Sequence, residues 1–243
     1  MIHEPVPFIL PTLTSWRRSK LLPYAEQVLR SQQQMTTAAG KTILHHTLQK
    51  KRRHISMMHY PKGDRIDHQT GAQYFYHCHR ENTLTHEQGH FHCFMRYKHI
   101  PKHIKPIPLT DWKKNLDNPM THLVCIAMNR YGQPIRLFTV NRWVTSEICY
   151  EAQHVLTFIK RFKMTLSDDP YWQLLDQWVE GMLHLFAPQI AWLQTTRDAL
   201  MKTHEKTHPG SNPYEDPAIE ELSEITINLT SQIQWILGGC SPT

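Results

Sequence analysis

Residues 73 to 94 read QYFYHCHRENTLTHEQGHFHCF, and five of the 22 are histidine. The spacing supports two incompatible chemistries. In the first, His77 and His79 form one H-x-H pair and His90 and His92 another, joined by a loop. If both pairs lie on strands of an antiparallel hairpin, period-two alternation puts all four imidazoles on one face. The simplest register pairs residues whose numbers sum to 169, so His79 faces His90 and His77 faces His92. Opposed Cβ atoms then stand ~5 Å apart, close enough for three imidazole nitrogens to share an ion at ~2.1 Å. Neutral histidines without thiolates suit a transition metal, namely iron, zinc or copper, and leave positions for water or a small-molecule substrate. In this register Glu81 continues the histidine face, and His86 and His59 are additional ligand candidates. Arg96 shares the face. Arg80, Arg96 and Tyr76 are candidates for handling a substrate, the two arginines by pairing with an anionic group.

The second parsing is HEQGH, His86 to His90, the two-histidine zinc helix of a metallopeptidase, with Glu87 as the base that activates water. Gly89 weakens a helix, FHCFMRY alternates as a strand does, and Glu147 and Glu151 are the nearest third ligands. In the hairpin reading Glu87 points away from the histidines or sits in the loop. A second match, HEKTH at 204–208, runs into Pro209-Gly210 and reads as a helix terminus. A third reading is a non-catalytic module for haem, another planar cofactor or a partner, with Phe75 and Phe94 stacking on the ligand. The hairpin metal site, in an oxidative or hydrolytic metalloenzyme, is the preferred expectation.

These residues need a sheet to hold them, and the flanking patterns supply one. Helical spacing covers about 13–53. Strand-like segments come next, over about 54–144, interrupted by the turn formers PKGDRIDHQTG at 61–71. About 145–238 is helical, with Thr145-Ser146-Glu147, Asp169-Pro170 and Asp216-Pro217 as helix starts and Gly238-Gly239 as a stop. On the hairpin, Tyr74, Tyr76, Cys78, Phe91, Cys93 and Met95 alternate with the histidines and form the core side. The expected fold is α+β: one domain over 1–243, an antiparallel sheet of four to five strands, N-terminal helices, and a helical C-terminal half packed on the sheet.

Composition narrows the class. The chain has 243 residues, a net charge of +6, 18 histidines and five cysteines without C-x-x-C spacing. Reduced thiols and a soluble cytoplasmic protein are expected. No apolar run is long enough to span a bilayer. KKRRH at 50–54 reads as a solvated helix end, so nucleic acid is not the expected partner. No feature specifies an oligomeric state.

HYPKGDRIDHQTGAQYFYHCHR, EQGHFHCFMR, HLVCIAMNRYGQPIRLFTVNRWVTSE and YEDPAIEELS together resemble a functionally uncharacterised bacterial family with paired H-x-H segments. The resemblance covers most of the chain. It implies a single domain and favours the hairpin over the peptidase helix, and it brings no reaction, substrate or cofactor.

Overall fold

Alternation along the histidine strands decides the layering. Tyr74, Tyr76, Cys78, Phe91, Cys93 and Met95 are all buried in one apolar cluster, and the histidines face the other way. In the computed structural model, which describes residues 8–36, 41–48, 57–78, 86–109 and 119–238, that cluster lies between a sheet and a helical layer. The described elements run α1 (Ser15–Thr36), α2 (Ile43–Thr47), β1 (Tyr60–Ile66), β2 (Ala72–His77), β3 (Glu87–Arg96), β4 (Met120–Asn129), β5 (Pro134–Val140), α3 (Arg142–Thr145), α4 (Ala152–Ile159), α5 (Pro170–Leu185), α6 (Ala187–Thr207), β6 (Glu221–Thr226) and α7 (Leu229–Leu237). The sheet is a six-stranded antiparallel meander in the order β1-β2-β3-β4-β5-β6. The fold is therefore α+β, as expected, with more strands than expected. Among the described residues no helix is long and apolar enough to cross a membrane.

Three differences from the sequence reading have physical causes. The sixth strand, β6, lies where a helix was expected to start at Asp216-Pro217. ELSEIT instead pairs with the outer edge of β5, where Ser223 and Thr139 share a hydroxyl–hydroxyl hydrogen bond of 2.7 Å. Helix α7 begins only after Asn228, whose side chain accepts from the Ser231 amide, and it stops at Gly238 in the left-handed region. Secondly, the turn formers at 61–71 are divided between strand and turn. Pro61 to Ile66 belong to β1, with a register break between Tyr60 and Arg65. The turn itself is Asp67 to Gly71, in which the Asp67 carboxylate accepts from the amides of Gln69 and Thr70. Gly71 has φ +83°, and a Cβ there would lie 2.5 Å from the His99 side chain, so the turn needs glycine. Thirdly, the helix expected from Thr145 to Phe162 is reduced to α4. Glu147 and Ile148 bond to β4 instead, and the Cys149 carbonyl accepts from the Ile107 amide.

Helix α5 starts as expected, with Pro170 in its first turn and the Asp169 carboxylate accepting from the Tyr171 amide. Its apolar face packs Trp178 against Phe91 at a ring separation of 5.6 Å. It also carries one buried ion cluster into the core. The Asp176 carboxylate accepts from the Tyr74 hydroxyl at 2.8 Å and from Arg65 at 2.8–3.1 Å, tying β1 and β2 to the helical layer. Arg65 and Asp176 side chains are 8 % and 2 % exposed, so neither charge is hydrated if the other is removed. Breaking a buried pair from one side costs roughly 3–5 kcal/mol. Asp176→Ala is expected to lower unfolding stability by that order in urea titration. A loss below about 1 kcal/mol would show that Asp168, which also binds Arg65, suffices alone.

Candidate metal centre

Register brings three of the four proposed histidines together. β2 and β3 pair His77 with His90 and Phe75 with His92, so the numbers sum to 167, two residues away from the expected register. A slip of two preserves the face. His77, His90 and His92 are 6 %, 5 % and 2 % exposed. Their Nε2 atoms stand 2.8 Å (77–90), 3.0 Å (90–92) and 3.2 Å (77–92) apart. That triangle is the spacing of three nitrogens each about 2.1 Å from one ion. The three residues could thus hold a metal. The fourth proposed ligand, His79, lies with Arg80 and Glu81 outside the described residues.

Glu87 occupies neither place that the sequence suggested. Residues 87–96 are strand, and His86 is exposed with φ +54°, so the HEQGH segment does not form the peptidase helix. Nor does Glu87 point away. Opposite β4, Glu87 pairs with Asn129 and Gly89 with Met128, leaving Gln88 as an extra residue. This bulge reverses the parity of the strand, and the odd step from Glu87 to His90 ends on one face. Glu87 Oε1 then accepts from His90 Nδ1 at 2.6 Å, and Oε2 accepts from Arg136 at 2.9–3.1 Å. Burial raises the Glu87 pKa, but His90 and Arg136 outweigh it, and the group is held below the ordinary carboxylate value. A carboxylate on Nδ1–H leaves the Nε2 lone pair facing the cluster, the usual device for orienting a metal-binding histidine. Gly89 serves the same approach. A Cβ there would meet the His77 carbonyl oxygen at 2.3 Å and the Tyr76 hydroxyl at 2.7 Å.

Two further residues join the site without having been expected, His122 and Cys125 on β4. Three apart, they belong on opposite faces of a regular strand. A second bulge prevents this: Cys93 pairs with Val124 and Phe94 with His122, so Leu123 is extra. The freed backbone groups have dedicated partners. The His122 amide donates to Glu147 Oε2 at 2.6 Å, and the Leu123 carbonyl accepts from Gln194 Nε2 at 2.6 Å. Glu147 therefore clamps a strand from the segment expected to begin a helix. It does not approach the three-histidine cluster as a ligand, and Glu151 is the exposed N-cap of α4. Cys125 Sγ lies 3.2 Å from His92 Nδ1 and 3.3 Å from His122 Nε2, and the two nitrogens are 3.4 Å apart. The odd spacing in THLVC, two ligand-type residues in a strand-like run, is the signal that was available.

The histidines open onto a cavity of about 590 Å³ whose walls include Phe75, Phe94, Met120, Phe138 and Val140. His59 lies at its edge, stacked on Phe75 at 3.6 Å and hydrogen-bonded to Asp64. The guanidinium lining this cavity is that of Arg136, which also binds Glu221 and Glu224. Arg96 instead donates to Gln73 at 2.7 Å. Tyr76 is fully buried on the opposite, helical side.

Burial, then the neighbouring histidines, hold His92 well below the ordinary imidazole value. Burial, with Arg197 and His90, lowers His122 to about 3. Burial raises Glu147 to about 7 against the pull of Arg197 and its hydrogen-bond donors. The signs oppose. Depressed histidines bind fewer protons folded than unfolded, so their contribution to stability is complete above about pH 6.5 and falls on acidification. Glu147 binds more protons folded, so its contribution is complete below pH 4.5 and falls as pH rises through about 7. Glu147→Gln in metal-free protein is therefore expected to steepen the rise of unfolding free energy between about pH 5 and 6.5, by about 1.4 kcal/mol per pH unit. Denaturant titrations across that range measure it, and an unchanged slope would mean that Glu147 is ionised throughout.

Comparison with known proteins gives a family and no activity. A family model described as "Domain of unknown function (DUF6969)" matches residues 23–227. No curated protein and no solved structure matches the chain.

Proposed function

The chain belongs to the DUF6969 family, a domain of unknown function, and from the geometry of the site we propose that it binds a transition metal through His77, His90 and His92 and acts as a metalloenzyme on a small molecule. The observation that carries this reading is the convergence of three buried Nε2 atoms within 3.2 Å of one another. Three neutral nitrogen donors suit iron, zinc or copper, and leave coordination positions for water and substrate. The ion supplies Lewis-acid or redox chemistry, hydrolytic or oxidative. The chain's own residues shape what surrounds it. Glu87 orients His90 and is itself held by Arg136, so its role is positioning, in contrast to the base expected of a peptidase helix. Phe75, Phe94, Met120, Phe138 and Val140 offer an apolar surface to the body of a substrate and restrict water.

Nitrogen spacing favours a single ion over a planar cofactor. The three Nε2 atoms lie 2.8, 3.0 and 3.2 Å apart, closer than the roughly 4 Å that two nitrogens on opposite faces of a haem iron need at about 2 Å each. Four buried cysteines without a disulfide among the described residues suit a reducing, cytoplasmic setting.

The test is elemental analysis of tag-free protein purified without nickel resin. Wild type is expected to carry metal, and the folded His77→Ala/His90→Ala variant to lack the ion held at this position. Glu87→Gln is expected to retain the ion with an affinity weakened about 10- to 100-fold. Wild type that takes up nothing from iron, zinc or copper solutions would sink the reading.

A further inference from the structure

His92 is unusual in presenting both ring nitrogens to potential ligand partners. Its Nε2 belongs to the trihistidine cluster, and its Nδ1 faces His122 Nε2 and Cys125 Sγ on the side away from it. Of these three residues only His92 lines the cavity, and His122 and Cys125 are 2 % and 0 % exposed. We infer that His92 Nδ1, His122 Nε2 and Cys125 Sγ form a second, closed metal position, bridged through the His92 ring to the trihistidine position and taking a borderline divalent ion of the zinc or cobalt class.

Shape, construction and charge each lead there. The three atoms make a nearly equilateral triangle of 3.2, 3.3 and 3.4 Å. An ion with metal–nitrogen bonds of about 2.0 Å and a metal–sulfur bond of about 2.3 Å closes such a triangle. The triangle is also purposely built. The bulge at Leu123, which alone brings His122 onto the face of Cys125, is fixed by a buried carboxylate from one segment and a buried amide from another. Charge is the third argument, since a dry site accepts an ion only when its charge is matched. On binding, the Cys125 S–H and the His92 Nδ1–H each lose a proton to solvent, and the thiolate and imidazolate together carry two negative charges against the ion's two positive ones. The ion replaces both protons, so no net charge is buried. No electron is transferred.

This inference rests on the trihistidine reading for the far side of the bridge, and its test separates the two. Metal-free full-length protein is titrated with cobalt(II) alone, following stoichiometry and the near-ultraviolet sulfur-to-metal charge-transfer band. Wild type is expected to bind two ions per chain and to show the band. Cys125→Ala and Cys125→Ser are each expected to bind one ion and to lose the band, with far-ultraviolet circular dichroism unchanged. His77→Ala/His90→Ala is expected to keep the band while losing an ion. One ion in wild type, with no thiolate band, would overturn the second position and leave the trihistidine position standing. No ion in any variant would overturn both. If the cysteine variants fail to fold, the wild-type band and stoichiometry alone decide.

Discussion

The period of two in a β-strand is the constraint to which the rest of this structure answers. One face of the sheet is committed to the helical layer, so every side chain is assigned by parity to the core or to the cavity. His90 and His92 satisfy that rule unaided, and His77 joins them through its pairing with His90. Glu87 and His122 do not, since each lies three residues from the group it serves. The two bulges, at Gln88 and Leu123, are where the parity rule is broken and where the site is completed. Bulges are costly in ladder hydrogen bonds, and at Leu123 the freed groups are taken up by side chains from distant elements.

Polar side chains form two opposed braces around the histidines. On one side, Glu87 links His90 to Arg136, and Arg136 continues to Glu221 and Glu224, so β3, β5 and β6 share one ionic network. On the other, Glu147 and Gln194 hold β4 from the segment before α4 and from α6. The Glu87–Arg136 pair, 10 % and 16 % exposed, is the buried part of the ionic network, and such a pair is stable only when both partners are present. Through Glu87 it fixes the orientation of the His90 imidazole, which is what a metal site demands of its surroundings. Arg136 also lies over the Phe138 ring at 4.0 Å, so one residue orients the carboxylate and forms part of the apolar wall.

How much could be read from the sequence depends on the range of the interactions involved. Alternation is local, so the histidine face and the core face of β2 and β3 were both legible, and an error of two in register changed neither. The start of α5 at Asp169-Pro170 was legible for the same reason, because an N-cap is made by neighbours. His122 and Cys125 were not, because the bulge that unites them depends on Glu147 and Gln194, 25 and 71 residues from their backbone partners. The role of Glu147 misled in the other direction: Thr-Ser-Glu has the composition of a helix start, and its carboxylate is drawn away by an amide on β4. Strand β6 was hidden by the Asp-Pro pair before it, which signals a chain reversal without specifying the element after it.

The irregular β1 also governs what the sheet does at its border. β1 is an outermost strand, and a regular outermost strand offers its unpaired amides and carbonyls to any extended segment of another chain. Here Pro61 has no amide to offer, Lys62 adds a charge, and Gly63 and Asp64, with φ of +85° and +62°, turn the backbone out of the ladder. An incoming strand finds no continuous row of partners there. The residues that make this segment look like a loop thus discourage self-association into extended sheets, protection that an open meander with an apolar cavity wall needs more than a closed barrel does.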